Sequence, residues 1–189
     1  MAASDGELVR RAKDGDRNAF RGLVERYRGR VYGIARGMTG NHGDADDVAQ
    51  ETFIKAYRKL GDFEGQSAIY TWLYRIAVNS ALDLLRRKSR RGELGLDWSI
   101  EEAERRLAAA RKGPPDGAGE AGAAELRRAV AGGLAELPAR HRAVLVLHDI
   151  EGVPHEEISR ILGCPIGTVR SRLHYARARM QRKLKDFIG

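Results

Sequence analysis

Two stretches of this sequence carry side chains suited to holding nucleic acid. One runs from Ile166 to Lys185, IGTVRSRLHYARARMQRKLK. Ile166, Val169, Leu173, Ala176, Met180 and Leu184 recur at three and four residues, so they form one stripe of a helix. The other faces carry Arg170, Arg172, Arg177, Arg179, Arg182, Lys183 and Lys185, with no carboxylate before Asp186. A solvated helix normally mixes its signs, whereas a helix bearing cations alone suits a polyanion. Ser171, His174 and Tyr175 fall opposite the apolar stripe, with Arg170 and Arg172 at its flanks. Arg170, Ser171, His174 and Tyr175 are the candidates for base edges; Arg172, Arg177 and Arg179 are placed for phosphates.

The second stretch runs from Asp44 to Arg91. Its first helix, expected over Ala45–Leu60, sets Val48, Ala49, Thr52, Phe53, Ala56 and Leu60 on one face and leaves Asp46, Asp47, Gln50 and Glu51 outside it. Its second helix, expected over Thr71–Lys88, has a broad inner side of Leu73, Tyr74, Ala77, Val78, Ala81, Leu84 and Leu85. Trp72, Arg75, Asn79, Asp83 and Arg86 line the opposite edge. An indole, guanidinium groups and an amide are groups that stack on bases and hold phosphates. The loop between, GDFEGQSAIY, brings Phe63, Ser67, Ile69 and Tyr70, and the second helix ends in Arg86-Arg87-Lys88 and Arg90-Arg91. The aspartates from Asp44 to Asp47 also suit a helix start, where they oppose the macrodipole. An acidic face, an aromatic loop and a basic end within one module point to a protein partner and a nucleic-acid partner.

The elements that must position these groups are helical. Gly6–Asp14 and Asn18–Met38 come first, separated by a Gly15-Asp16 turn with a capping aspartate. The longer helix carries Phe20, Leu23, Val24, Tyr27, Val31, Ile34 and Ala35 at helical spacing. Residues 92–124 change character: they are rich in Gly, Ala and Glu, mildly acidic, and contain Pro114-Pro115. They read as a flexible linker with one short helix, Ser99–Arg111, capped by Ser99 and Glu102. Helices over Glu125–Ala135, Ala139–Ile150 and His155–Leu162 follow, and Gly163-Cys164-Pro165 turns into the basic helix. A short helix, a tight turn and a longer basic helix make a helix-turn-helix. The expected fold is all-α, with two small helical domains, 1–91 and 125–189, joined by a flexible linker over 92–124.

Composition narrows the function classes. The 189 residues suffice for one medium domain or two small ones. A formal net charge of +8 and an isoelectric point of about 9.9 favour a polyanion, nucleic acid before membrane. The single cysteine, Cys164, excludes an intramolecular disulfide and a cysteine-based zinc site, and suits a reducing cytoplasm. There is no run of about eighteen apolar residues to insert in a membrane and no secretory-signal core at the N-terminus. His155-Glu156 lacks the second histidine of a zinc-protease helix, because position 159 is Ser159. His141, His148 and His155 are too far apart in sequence to ligate one metal from adjacent turns, and read as surface or cap residues. Neither a GxxxxGK phosphate loop nor a nucleophile–base constellation occurs. No catalytic residue, metal or cofactor is expected.

The run Asp46-Asp47-Val48-Ala49-Gln50-Glu51-Thr52-Phe53, then Phe63, then Ser67 to Asn79 (SAIYTWLYRIAVN) closely resembles region 2 of the bacterial extracytoplasmic-function (ECF) sigma factors, the small members of the sigma-70 family, and most nearly the sigma-E type. Residues 6–39 are similar to region 2.1 of the same family. CPIGTVRSRL, Cys164 to Leu173, followed by Ala176-Arg177, resembles region 4. The resemblance implies a region 2 bundle at 1–91 and a region 4 helix-turn-helix at 125–189. It implies that Asp46, Asp47, Gln50 and Glu51 dock on the clamp coiled coil of core RNA polymerase. Phe63, Ser67, Ile69, Tyr70, Trp72, Arg75, Asn79, Asp83 and Arg86 would capture and open the −10 promoter element. Thr168, Arg170, Ser171, Arg172, His174, Tyr175, Arg177 and Arg179 would read the −35 element. Ile69 stands where the family usually has phenylalanine, and Tyr175 where many relatives have arginine, which implies a shifted −35 preference. The family further implies a cytoplasmic protein held inactive by an anti-sigma factor, which can keep it near the membrane. The alternative reading is a stand-alone helix-turn-helix regulator with a ligand-sensing N-terminal domain. That domain would need a pocket and would have no use for the TWLYRIAVN edge beside a basic tail.

Overall fold

The computed structural model describes residues 3–91 and 118–185, with side chains from residue 125 onward in the second segment. Among the described residues every regular element is helical. The first domain is built from α1 (Asp5–Lys13), α2 (Arg17–Thr39), α3 (His42–Lys59) and α4 (Ile69–Arg90), with a 3₁₀ turn, Leu60–Asp62, after α3. The second contains α5 (Ala118–Glu136), α6 (Ala139–Leu145), a π turn (Val146–Ile150), α7 (His155–Leu162) and α8 (Ile166–Lys183). The helix expected over Ser99–Arg111 lies outside the described residues. α5 begins within the stretch expected as linker.

The helix starts follow from capping chemistry. Ser4 Oγ accepts from the Glu7 amide at 3.2 Å, and Asp16 accepts from the amides of Asn18 and Ala19 at 2.9 and 3.1 Å. Asn41, rather than an aspartate, caps α3, accepting from the Asp44 amide at 2.8 Å. α3 therefore starts at His42, three residues before the expected Ala45. Gly40, at φ 83°, closes α2 in the left-handed region that favours glycine.

The apolar stripes meet as their spacing requires. Val31, Ile34, Ala35 and Met38 of α2, Val48 and Ala56 of α3, and Tyr74, Ala77 and Val78 of α4 are almost completely buried together. Thr52 is buried among them because its hydroxyl donates to the Val48 carbonyl at 2.7 Å. In the second domain Val144, Leu147, Ile158 and Val169 make the corresponding centre.

The segment expected as one helix over Ala139–Ile150 differs. It runs as α6 and then widens into the π turn, where the Glu151 amide donates to the Val146 carbonyl at 3.0 Å. Residues Arg142 to Leu147 are all buried, which one face of a helix cannot achieve. The segment is covered on two sides, by its own domain and by α2 of the first.

That second covering depends on two glycines. A methyl group on Gly37 would lie 2.8 and 2.9 Å from the two Val146 methyls, and one on Gly33 would overlap a carboxylate oxygen of Glu151. Glycine inside a helix costs about 0.5–1 kcal/mol relative to alanine. Here it lets the second domain approach the α2 backbone closely. α5, α6 and the π turn rest on α2, and α6 and α7 rest on α4.

Candidate nucleic-acid interface

The exposed edge of α4 is the one its periodicity dictates. Arg75, Asn79 and Arg86 are exposed, and Trp72 and Asp83 half-buried. Trp72 packs on Phe63 at 5.3 Å between ring centres, tilted by 47°. Phe63 is only 8% exposed and Ile69 4%, so both lie inward beneath the loop while Ser67 and Tyr70 stay at half-exposure. Tyr70 leans on Tyr74 at 5.6 Å. Asp83 pairs with Arg86 at 3.0 Å, which sets that guanidinium on the helix surface.

The acidic face of α3 splits in two. Asp46, Asp47 and Gln50 are exposed, and Asp46 and Gln50 border a cleft of about 390 Å³ with Val24, Arg28, Tyr32 and Phe53. Glu51 instead pairs with Lys55 at 2.9 Å and lies 4.0 Å from Arg87. Asp44 holds Lys88 at 2.6 Å. The basic end of α4 is thus partly neutralised from α3 through Arg87 and Lys88, while Arg86, Arg87, Arg90 and Arg91 are exposed.

On α8, Arg170, Ser171, His174 and Tyr175 are exposed together. The Ser171 hydroxyl donates to the carbonyl of half-buried Thr168 at 3.1 Å. Arg172 is half-buried, with Nη1 3.7 Å from Cys164 Sγ, and Arg179 is half-buried. Arg177 forms a bidentate pair with Asp149, at 3.0 and 2.6 Å, and that pairing raises the already high pKa of the guanidinium. The Tyr175 ring packs against His141 at 4.8 Å, and burial lowers the His141 pKa. Arg172 and His141 border a cleft of about 430 Å³ whose other wall is Leu82, Leu85 and Arg86 of α4.

Not every histidine sits where the sequence suggested. His148 and His155 stack at 4.5 Å between ring centres, with His148 Nδ1 3.0 Å from the Val153 carbonyl. The chain reversal at Gly152 and Val153 brings them together, which residue spacing along one helix does not report. Among the described residues no group of three or more potential metal ligands occurs.

Arg142, Glu151, Gly33 and Gly37 carried no functional signal in the sequence, yet they build the contact between the domains. The four-residue spacing of the two glycines within a long helix is the one mark that could have flagged it. Glu151 lies half-buried against α2, where burial pushes its carboxyl up from the ordinary value and Arg30 pulls it back; Tyr74, also pushed up by burial, stands beside both. A carboxyl raised by folding contributes stability that is complete below its unfolded value and is lost as pH rises through the folded one. Glu151→Gln, which keeps the shape without the charge, should therefore melt higher than the unmodified protein at pH 7. The gain should vanish near the unperturbed glutamate value of about 4.3. A pH-independent difference in melting temperature would contradict this reading of Glu151.

The fold and its exposed basic helix define a two-domain, all-helical protein of the helix-turn-helix class. A family model of sigma-70 region 2 matches residues 23–91, and one of sigma-70 region 4 matches residues 127–180. The ECF RNA polymerase sigma-E factor of Haemophilus influenzae is 39% identical over 186 residues, covering 98% of this chain and 97% of that protein. That of Escherichia coli is 40% identical over 185 residues, covering 98% and 96%. The solved structure of CnrH in complex with the cytosolic domain of CnrY superposes with a TM-score of 0.69 at 29% identity, over 96% of this chain and 97% of that one. The sigma factor RpoE of Bartonella quintana, in complex with the anti-sigma factor NepR, gives 0.63 at 25% identity, over 88% and 96%. The chain belongs to the sigma-70 family, as an ECF RNA polymerase sigma factor of the sigma-E type. Its relatives are sigma factors, which are not enzymes.

Proposed function

We propose that this sigma factor binds core RNA polymerase through the outer face of α3, at Asp46, Asp47, Gln50 and Glu51, and directs initiation at promoters it reads with two separate surfaces. The −10 element is captured and opened by residues 61–70 and the α4 edge, with Trp72, Arg75, Asn79 and Arg86 facing DNA and Asp83 orienting Arg86. Phe63 and Ile69 support that edge from beneath. The −35 element is read by α8, where Arg170, Ser171, His174 and Tyr175 meet base edges and Arg172, Arg177 and Arg179 hold phosphates. The observation that carries the reading is the pairing, in one chain, of a half-buried indole beside exposed guanidinium groups on α4 with a helix, α8, that carries cations and no carboxylate. Regulation by an anti-sigma factor fits the complexes in which its structural relatives were solved. A cytoplasmic location follows from the same role, and no described helix is long and apolar enough to cross a membrane.

Run-off transcription with core polymerase, this protein and a pool of promoter-bearing DNA tests the reading. Dependent starts that share one −35/−10 pattern support it; DNA binding without dependent initiation favours a stand-alone helix-turn-helix regulator. Within the −35 surface the roles separate. Arg179→Ala should weaken binding about equally across −35 sequences and reduce the salt slope by about one. Ser171→Ala and His174→Ala should change sequence preference instead. The opposite pattern would reverse the assignments.

A further inference from the structure

We propose that Asp149, in the π turn, is a positioning residue of the −35 surface: its carboxylate holds the Arg177 guanidinium in one orientation and offsets its charge, so that Arg177 serves sequence discrimination more than general affinity for DNA. The inference rests on the assignment of α8 to the −35 element above.

α8 carries no carboxylate of its own, so an anion that meets it within the protein comes from another element. Glu136 of α5 pairs with Lys183 at 2.6 Å, at the far end of α8 from the base-facing residues. Asp149 comes from 28 residues away in the chain and accepts from Arg177 Nε at 3.0 Å and from Nη2 at 2.6 Å. The two pairs differ in kind. An ammonium is a point charge on a flexible stem, whereas a guanidinium is a planar fork of five donors. Two contacts to one carboxylate fix the plane of that fork. They take the Nε proton and one on Nη2, which leaves both Nη1 protons and the second on Nη2 for an outside acceptor. Arg177 stands three residues after His174, on the adjoining stripe of α8. With the arginine side chain 50% exposed and the aspartate 32%, a phosphate can reach the pair.

The carboxylate is itself mounted on a pinned backbone. The Glu151 amide donates to the Val146 carbonyl at 3.0 Å across the π turn, and His148, next to Asp149, stacks on His155 at 4.5 Å. Val146 and Leu147, at the start of the turn, are completely buried. An ion pair as exposed as this one contributes little to stability. A carboxylate beside a DNA surface also repels phosphates and lowers affinity for any sequence. What the pair supplies is register. A bare arginine meets a phosphate over a range of positions. A braced one meets it at a single distance from the base edges assigned to Ser171 and His174, and phosphate contacts are what set a reader on the duplex. Arg170, Arg172 and Arg179 of the same helix supply the general attraction.

The test uses the full chain and two DNA duplexes, one selected by the unmodified protein from a randomised pool and one with that sequence scrambled. Affinity for each is measured across a series of salt concentrations. Asp149→Asn keeps the shape of the side chain and removes its charge. It should bind the scrambled duplex several-fold more tightly, and its plot of log affinity against log salt should steepen by about 0.9, the value of one further phosphate neutralised. Its preference for the selected duplex should fall several-fold. Asp149→Glu keeps the carboxylate and should retain most of the preference. In an Arg177→Ala background, Asp149→Asn should change neither slope nor preference, because the two residues act as one unit. Equal losses on both duplexes with a lower melting temperature would make Asp149 a structural residue and overturn the proposal. So would an unchanged slope and preference, or an effect of Asp149→Asn that persists without Arg177. If Arg177→Ala alone leaves affinity and slope unchanged, the assignment of Arg177 to phosphate fails instead, whatever Asp149 does.

Discussion

Replacing Arg142 by alanine should lower the stability of the protein by about 2–4 kcal/mol, seen as a fall in the denaturant midpoint. Arg142 is 8% exposed and no carboxylate accompanies it in its hydrogen bonds. Its guanidinium donates to the carbonyls of Ala135 at 2.7 Å and Leu137 at 3.2 Å, and to that of Met38. Ala135 and Met38 lie in the last turns of α5 and α2, whose final carbonyls have no partner within the helix and gather the negative end of its dipole. One cation therefore caps two helices, one from each domain. Burial lowers its pKa from the ordinary arginine value but leaves it charged, because those carbonyls replace water. Truncation leaves buried acceptors unsatisfied, at about 1–3 kcal/mol for each that water does not reach, and removes the packed stem. Arg142→Met restores the stem without the donors and should recover only a minor part. A loss under about 0.5 kcal/mol for Arg142→Ala, the range of ordinary surface substitutions, would show that water reaches these carbonyls.

Trp72→Ala should lower promoter opening roughly tenfold while leaving closed-duplex binding nearly unchanged. The indole is half-buried on α4 and braced by Phe63 from the loop, so its face is pre-set rather than mobile. Unstacking a base from the duplex costs a few kcal/mol. An aromatic ring that receives the base returns about 1–3 kcal/mol, and 1.4 kcal/mol corresponds to a factor of ten. The effect should appear in the permanganate reactivity of −10 thymines with polymerase present, and Trp72→Phe should keep most of the activity. Equal losses in opening and in duplex binding would remove Trp72 from the melting role. Loss of the contact with Phe63 also costs about 0.5–1.5 kcal/mol of local packing. The melting temperature of the variant must therefore be measured alongside.

Much of the molecule was legible because helices announce themselves locally. The α8 stripe of Val169, Leu173, Ala176 and Met180 is buried as its spacing requires. Opposite it, Arg170, Ser171, His174 and Tyr175 stand exposed. The Asp16 cap and the outward edge of α4 followed from the same short-range rules. Element ends moved by a few residues where a cap residue, such as Asn41, lay outside the apolar pattern. The loop was less legible: Phe63 and Ile69 face inward, since no period fixes the direction of a side chain in an irregular segment.

By itself, then, the sequence determined the helical elements of the described residues, the faces proposed here for recognition and the family, since these rest on residue type and spacing along single helices. Only the tertiary structure decided which cations are already paired, as Arg177 is to Asp149 and Lys88 to Asp44. It alone brought His148 against His155, made Arg142 a cap for two helices, and turned Gly33 and Gly37 into a seat for the second domain. The physical reason is common to all four. A helical period states that a face is covered but not by what, and a partner far along the chain is chosen by packing of whole domains, which no local spacing encodes.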